Sequence, residues 1–284
     1  MFDLLIKGGT IIDGTGNVGF KGDVAIEGDK VKILRGDTSS VKANKVIDAS
    51  GYIVAPGIID VHTHSDLVAL VEPLNEPKIR QGITTEMIGL DGIGYAPLSK
   101  KNLEAMLWFF CGINGHPELD YSWKSVTEYL ERFHHKVAGN MTYLLPNGGL
   151  RAETVGWEMR PATKTEIKKM QAMIRQGMAE GAVGLSSGLQ YAPSSYANTE
   201  ELTELCRTVG ECGGVHVTHV RYDLGDGIFD GFREAALIGQ RSGCPVHISH
   251  FYATPFLRGQ TARMLQFVDN VRASGVDLTF DAYP

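Results

Sequence analysis

Cysteine is scarce in this chain. Cys111, Cys206, Cys212 and Cys244 are its four, and none stands in a Cys-x-x-Cys pair. A disulfide framework is therefore not expected, and a reducing, cytoplasmic setting is. Long apolar runs are also missing: none approaches the ~20 residues of a membrane span. The opening "MFDLLIKGG" carries too short an apolar run for a signal peptide. Positive charge is in deficit, with 27 Lys and Arg against 33 Asp and Glu and a formal net charge of -6. That balance argues against a nucleic-acid partner and offers nothing to an anionic membrane. What is present is the composition of an ordinary soluble protein, 43% hydrophobic and 21% charged. The 284 residues suffice for one large domain, or for one with a small appendage.

Residues 1–55 read as short strands with turns. In "FDLLIKGGTIID", "GDVAIEGDKVKILRG" and "KVIDASGYIVAPG", apolar and polar residues alternate between Gly and Asp turns. From Tyr52 onward the pattern changes, with 56–284 read as the barrel, and β-branched runs alternate with helical segments. The runs are "YIVAPGIIDVHTH", "GITTEMIGLDG", "MTYLLPNGG", "GAVGLSSGL", "GGVHVTHVR", "CPVHISHF" and "VDLTFDAYP". Between them, Ile167, Met170, Ile174 and Met178 form a helical stripe behind a Thr163-x-x-Glu166 capping box. Leu202, Leu205, Cys206 and Val209 form another, Phe232, Ala235 and Ala236 a third, and Met264, Phe267, Val268 and Val271 a fourth. Repeats of this βα kind suit a TIM barrel or an open doubly wound sheet. The first repeat strand is followed by no Gly-rich phosphate loop, which counts against a nucleotide-binding sheet. Polar residues gather at the strand C-termini, where a barrel builds its site. The expected fold is thus an α/β, TIM-type (β/α)8 barrel of which about seven strands are present, preceded by a small β domain.

Strand alternation then selects candidate residues. His62 and His64 share a face at the end of the first barrel strand. Met87, Gly89 and Asp91 share one on the second, Val215, Val217, His219 and Arg221 on the fifth, and Val246, Ile248 and His250 on the sixth. Four histidines and one aspartate can therefore meet at one barrel mouth. The same alternation sends His216 and His247 toward the helices as structural residues. His116, His134 and His135 fall on a loop and a helix and read as surface or packing residues. An His-x-His pair alone can be an accident of composition; joined by single histidines at two further strand ends, it points to a metal site. Imidazole nitrogen suits zinc, and a catalytic zinc keeps an open position for water.

The segments "LLIKGGTIIDGTG", "GDVAIEGDKV", "VIDASGYIVAPGIIDVHTHSD", "THVR" and "HISH" resemble the amidohydrolase superfamily. "GLRAETVG", "RPAT", "GAVGLSSGLQYAP" and "FDAYP" are similar to its N-acyl-D-amino-acid deacylase (D-aminoacylase) branch. The resemblance implies a zinc-dependent hydrolase that cleaves the amide bond of N-acyl-D-amino acids, small molecules, with one or two zinc ions. It implies that His62, His64, His219 and His250 bind metal. The branch often carries a ligand cysteine in a Gly-x-Cys-Gly turn after the second strand; "GLDG" puts Asp91 in that place, where a carboxylate can bind or bridge zinc. A lysine usual after the strand-six histidine is replaced by Tyr252, and a histidine usual after strand three by Asn147. Arg221, a possible bidentate partner for a carboxylate, and Tyr191 in "LQYAP" join Tyr252 as candidate substrate contacts.

"GAVGLSSGL" contains no lysine, whereas hydantoinases and dihydroorotases of this superfamily usually bridge their metals with a carboxylated lysine there. The superfamily also implies a proton-shuttling aspartate at the end of an eighth strand. That residue is expected beyond residue 284, so no catalytic residue is assigned here; Asp281, one strand early, reads as barrel-mouth structure. The expectation is a fragment of a longer enzyme, with little deacylase activity of its own. Two other readings stand beside it, another amidohydrolase activity such as a cyclic amidase, and a non-catalytic amidohydrolase-like scaffold.

Overall fold

The structure is a computed structural model that describes residues 1–222 and 228–282. Residue contacts divide the chain into two compact units, Met1–Ile58 and the part from Ile59 onward.

The first unit holds β1 (Phe2–Ile11), β2 (Phe20–Glu27), β3 (Lys30–Leu34), β4 (Ala43–Asp48) and β5 (Ile53–Val54). They form one sheet in the order β3-β2-β1-β4, with β5 also beside β1. The β1–β2 and β2–β3 pairs are antiparallel, while β4 and β5 run parallel to β1. The run "YIVAPGIIDVHTH" is therefore divided: its Ile53–Val54 belongs to this sheet. The β1–β2 register shifts between Ile6 and Gly9, where Gly8 takes φ +76. The buried Asp23 accepts the Gly8 amide N–H at 2.7 Å and the Thr38 hydroxyl. A bulge leaves a residue outside the ladder, and this carboxylate satisfies its donor.

Among the described residues, the second unit contains a seven-stranded sheet of β6 (Ile58–Asp60), β7 (Ile83–Ile88), β8 (Asn140–Pro146), β9 (Gly184–Gly188), β10 (Val215–His219), β11 (Val246–Ile248) and β12 (Leu278–Phe280). Strand order follows chain order, and the pairs along β7–β12 are parallel where their registers are defined. Helices cross between successive strands, as in an incomplete (β/α)8 barrel. The sheet is open, with β6 and β12 at its two ends.

Register assigns the faces. Val217 lies opposite Ser186 and His247, and His216 opposite Leu185 and Val246. Paired residues in a parallel ladder share a face. The inner face packs Leu90, Leu144 and Val217 with Met87 and Val215. On the outer face, Leu145 and Leu185 pack with Ile174, Leu202, Leu205 and Val209. Farther along, Val246, Ile248 and Leu278 pack with Phe232, Met264 and Val268. Each such aliphatic burial stabilises by about 1.5–3 kcal/mol.

The helix Lys164–Ala179 shows how sequence places one of these covers. Thr163 and Glu166 form the predicted capping box, the Glu166 amide donating to Thr163 Oγ1 and the Thr163 amide to Glu166 Oε2. Its Met170 and Ile174 are fully buried. Gly177 permits the close approach: a Cβ there would stand 2.5 Å from Leu145 Cδ2. Among the described residues no helix is long and apolar enough to cross a membrane.

Candidate metal centre

The candidate ligands stand just past strand ends, each held by local structure. His62 follows β6, and its amide donates to Asp60 Oδ1 at 3.1 Å while Lys78 Nζ holds Asp60 Oδ2. Two residues on is His64. Between and after them, the buried hydroxyls of Thr63 and Ser65 bond each other at 2.6 Å, and Ser65 donates to Glu86 Oε2 at 2.8 Å. Asp91 lies in the turn after β7 at φ +55, between Gly89 at +79 and Gly92 at +70. Ser186 of β9 pins that turn, accepting the Gly92 amide at 3.0 Å and donating to the Gly89 carbonyl. His219 ends β10. His250 lies two residues past β11 at φ +37. Positive φ in non-glycine residues is costly and concentrates at functional sites.

The four imidazoles converge on the Asp91 carboxylate. Asp91 Oδ2 lies 3.5 Å from His64 Nε2, 3.6 Å from His62 Nε2, and 3.8 Å from both His219 Nδ1 and His250 Nε2. Four imidazole nitrogens thus surround an oxygen just beyond hydrogen-bonding range. Asp91, His219 and His250 are buried. Ligand atoms of His62, Asp91 and His250 all fall within 4.8 Å of one another. Asp91 Oδ1 and His64 Nδ1 are buried without a hydrogen-bond partner among the described residues.

Outer partners fix which nitrogens carry protons. His62 Nδ1 is 3.0 Å from Asp281 Oδ2, and His219 Nε2 is 2.8 Å from Gln190 Oε1. Gln190 Nε2 donates to the Tyr222 carbonyl, which orients its amide. His250 Nδ1 is 2.7 Å from the Tyr222 hydroxyl, which has the Ser249 carbonyl as acceptor at 3.0 Å. Carboxylate and amide oxygens only accept, so these outer imidazole nitrogens donate. In the neutral rings the inner nitrogens, His62 Nε2, His219 Nδ1 and His250 Nε2, then carry their lone pairs toward the cavity. His219 Nδ1 and His250 Nε2 approach to 2.8 Å. Two lone pairs that close repel unless a proton or cation engages them. An orphaned carboxylate oxygen, converging lone pairs and imidazoles anchored from outside together fit a divalent cation of the zinc type.

Without a cation the cluster balances its charge with a proton on His62, which a metal ion would have to displace. Burial alone would raise the Asp91 carboxyl, but the surrounding imidazoles hold it well below the usual carboxylate range. For His62, burial opposes protonation and is overcome by Asp281 and Asp91, which push the imidazole up to about 10. Burial pushes His219 down.

The remaining candidates divide. Tyr191 lies against the cluster, its ring 4.8 Å from that of His219. Tyr252 stacks on Tyr222 with centroids 6.0 Å apart and stands 6.2 Å from the His250 ring. Arg221 departs from the expected substrate contact. Its Nε donates to Glu234 Oε2 at 2.9 Å, Nη1 to the Ser195 carbonyl at 2.9 Å and Nη2 to the Ala197 carbonyl. Three nitrogens engaged in this way brace the segment after β9 against the helix Ile228–Ser242. His216 faces the helices as alternation predicts, buried and 2.9 Å from Ser187 Oγ, and burial pushes it down to about 4. His247 does not face the helices. It shares the inner face with Val217, and its Nε2 is 3.0 Å from Asp281 Oδ2. Asn147 is buried, its Oδ1 accepting from Ser194. His116 packs on Trp108, and His134 on His135.

Sequence reasoning missed the outer partners Gln190 and Tyr222, and it read Asp281 as mouth structure alone. Their one signal is position, within three residues of a strand end. A cavity of about 1090 Å³ beside Leu98, His116, Tyr121 and Trp123 is lined by none of the five candidate ligands.

A model of the amidohydrolase family matches residues 45–281. Over 286 aligned residues the chain is 36% identical to the D-aminoacylase of Alcaligenes xylosoxydans xylosoxydans, covering 100% of this chain and 57% of that relative. A D-aminoacylase crystal structure superposes with a TM-score of 0.87 at 36% identity, covering 100% of this chain and 59% of that one. The N-acyl-D-glutamate deacylase of Bordetella bronchiseptica, solved with zinc and a phosphonate mimic of the tetrahedral intermediate, superposes with a TM-score of 0.86 at 32% identity, covering 100% and 58%. The chain thus spans a little over half the length of these relatives.

Proposed function

Since the chain belongs to the amidohydrolase family, we propose that it carries the zinc centre of an enzyme that hydrolyses the amide bond of N-acyl-D-amino acids. His62, His64, Asp91, His219 and His250 would hold one or two ions. The observation that carries the proposal is the ring of imidazole nitrogens 3.5 to 3.8 Å from Asp91 Oδ2, with outer partners that turn lone pairs inward. The similarity to D-aminoacylase and N-acyl-D-glutamate deacylase supports the substrate class. Bound zinc supplies Lewis acidity toward the scissile carbonyl and lowers the pKa of a coordinated water.

The chain's own residues supply position and charge. The Asp91 carboxylate offsets part of the cation's charge in a buried site. Tyr191 and Tyr252, beside the His219 and His250 rings, are the candidate contacts for a small substrate. Arg221 is assigned a bracing role. A carboxylate must still carry a proton to the leaving amine. Asp281 is not assigned that task, because its oxygens already serve His62, His247 and the His250 amide. The inner face of β9 carries Gly184, Ser186 and Gly188 and no lysine of the kind that bridges the metals of cyclic amidases; that favours the acyclic deacylase. Residues 1–55 are read as the N-terminal part of a small β-sandwich domain and 56–284 as barrel. A cytoplasmic setting is favoured by four cysteines that are all free.

The test is a substrate panel presented to the complete product of the gene, loaded with zinc. N-acetyl-D-amino acids should be hydrolysed in preference to their L-enantiomers and to hydantoins. Preferential turnover of hydantoins or of L-substrates would overturn the assignment.

A further inference from the structure

We propose that Asp281 is a positioning residue that holds two of the zinc ligands, His62 and His250, in place from opposite ends of the open sheet. The inference rests on the zinc centre proposed above. Asp281 follows β12, the last strand in the sheet order, and His62 follows β6, the first. The contact between Asp281 Oδ2 and His62 Nδ1, at 3.0 Å, joins residues 219 positions apart. It fixes the ring so that Nε2 faces Asp91. Metal-bound histidines are commonly oriented by such an outer carboxylate.

The second hold is on the His250 turn. Asp281 Oδ1 accepts the His250 amide N–H at 2.5 Å. The Asp281 main chain clasps the same turn on both sides, its amide donating to the Ile248 carbonyl at 3.1 Å and its carbonyl accepting from Phe251 at 2.8 Å. His250 occupies φ +37, a conformation that persists in a non-glycine residue only when its surroundings impose it. Without these bonds nothing in strand alternation would aim His250 inward, because β11 ends with Ile248 on the helix side.

His247 completes the arrangement. Its Nε2 is 3.0 Å from the same Asp281 Oδ2, and its Nδ1 is 2.8 Å from Thr279 Oγ1. The hydroxyl can donate to Nδ1, which leaves Nε2–H to donate to the carboxylate. His247 thus steadies the oxygen that orients His62 without reaching the metal site itself.

The experiment compares zinc affinity of the unaltered chain, D281A, D281N and H247A by chelator competition, with cobalt(II) substitution as a spectroscopic readout. D281A should weaken zinc binding by about 10- to 100-fold and shift the cobalt d–d bands, because the geometry of two ligands changes. H247A should do less. D281N keeps the shape of the side chain and is read in the same way should the alanine variant fail to fold. Equal zinc affinity and an unchanged cobalt spectrum in D281A, or in D281N in that case, would overturn the positioning role while leaving the zinc centre standing. An unaltered chain without zinc would overturn the centre itself and this inference with it.

Discussion

Gly188→Ala perturbs the centre without removing any ligand. A Cβ on Gly188 would stand 1.9 Å from the Asp91 carbonyl oxygen and 2.7 Å from its carbonyl carbon. Ordinary van der Waals contact begins near 3.4 Å, so roughly 1.5 Å of relief is required at the oxygen. Both partners are main chain, so no side chain can swing aside. The Asp91 turn is also pinned by Ser186 and confined by Gly89, whose own Cβ would meet the Leu144 carbonyl at 2.3 Å. Overpacking of this kind costs about 1–3 kcal/mol. At about 2–4 °C per kcal/mol for a chain of this size, Tm should fall by about 2 to 12 °C. The larger consequence is for metal. Ligand distances tolerate only about 0.2 Å, and a displaced turn carries the Asp91 carboxylate beyond that. Thermal melts and zinc titration of the same preparation check both effects. An alanine variant with unchanged Tm and unchanged zinc affinity would refute the packing argument.

Glu201→Ala strands Arg151, since both side chains are buried and Arg151 Nη1 donates to Glu201 Oε1 and Oε2 at 2.5 and 2.6 Å. Stability should fall by about 3–5 kcal/mol, and the double variant R151M/E201L should lose less than this single one; chemical denaturation measures both. Metal-free protein should lose stability as pH rises from about 7 to 10. The folded His62 value of about 10 exceeds its ordinary 6.5, so its contribution is complete below 6.5 and lost as pH climbs through 10. Urea midpoints across that window check the sign, and a rise in stability toward pH 10 would contradict it. Zinc must displace the same proton, so its affinity should increase over that range, which calorimetry at stepped pH would show.

How much of this was legible in the sequence depends on where each strand stops. Alternation placed His219 correctly because β10 runs regularly through Val215, Val217 and His219, all on the inner face. The same rule applied to β11 put Val246, Ile248 and His250 together. In the structure Val246 and Ile248 face the helices, and His250 reaches the site only through its left-handed turn. His250 thus lies in the cluster for a reason other than the alternation that selected it, and His247 was sent to the wrong side by the same step. Asp91 is a similar case: Leu90 packs inside with Leu144 and Val217, and the positive φ of Gly89 and Asp91 breaks the period of two. Parity carries no information past a strand end, where three-dimensional clasps such as Asp281 and Ser186 take over. The seven repeat strands and the Thr163 capping box were readable because both are written in local periodicity. The outer partners Gln190 and Tyr222 were not, since a hydrogen bond across 28 or 29 residues leaves no local pattern.

X-ray absorption at the zinc edge of the purified, zinc-dialysed chain tests the central claim most directly. The account predicts one or two zinc ions per chain with nitrogen and oxygen ligands at about 2.0–2.2 Å and no sulfur near ~2.3 Å, because Asp91 and four histidines form the cluster. The absence of stoichiometric zinc, or a sulfur shell, would contradict it.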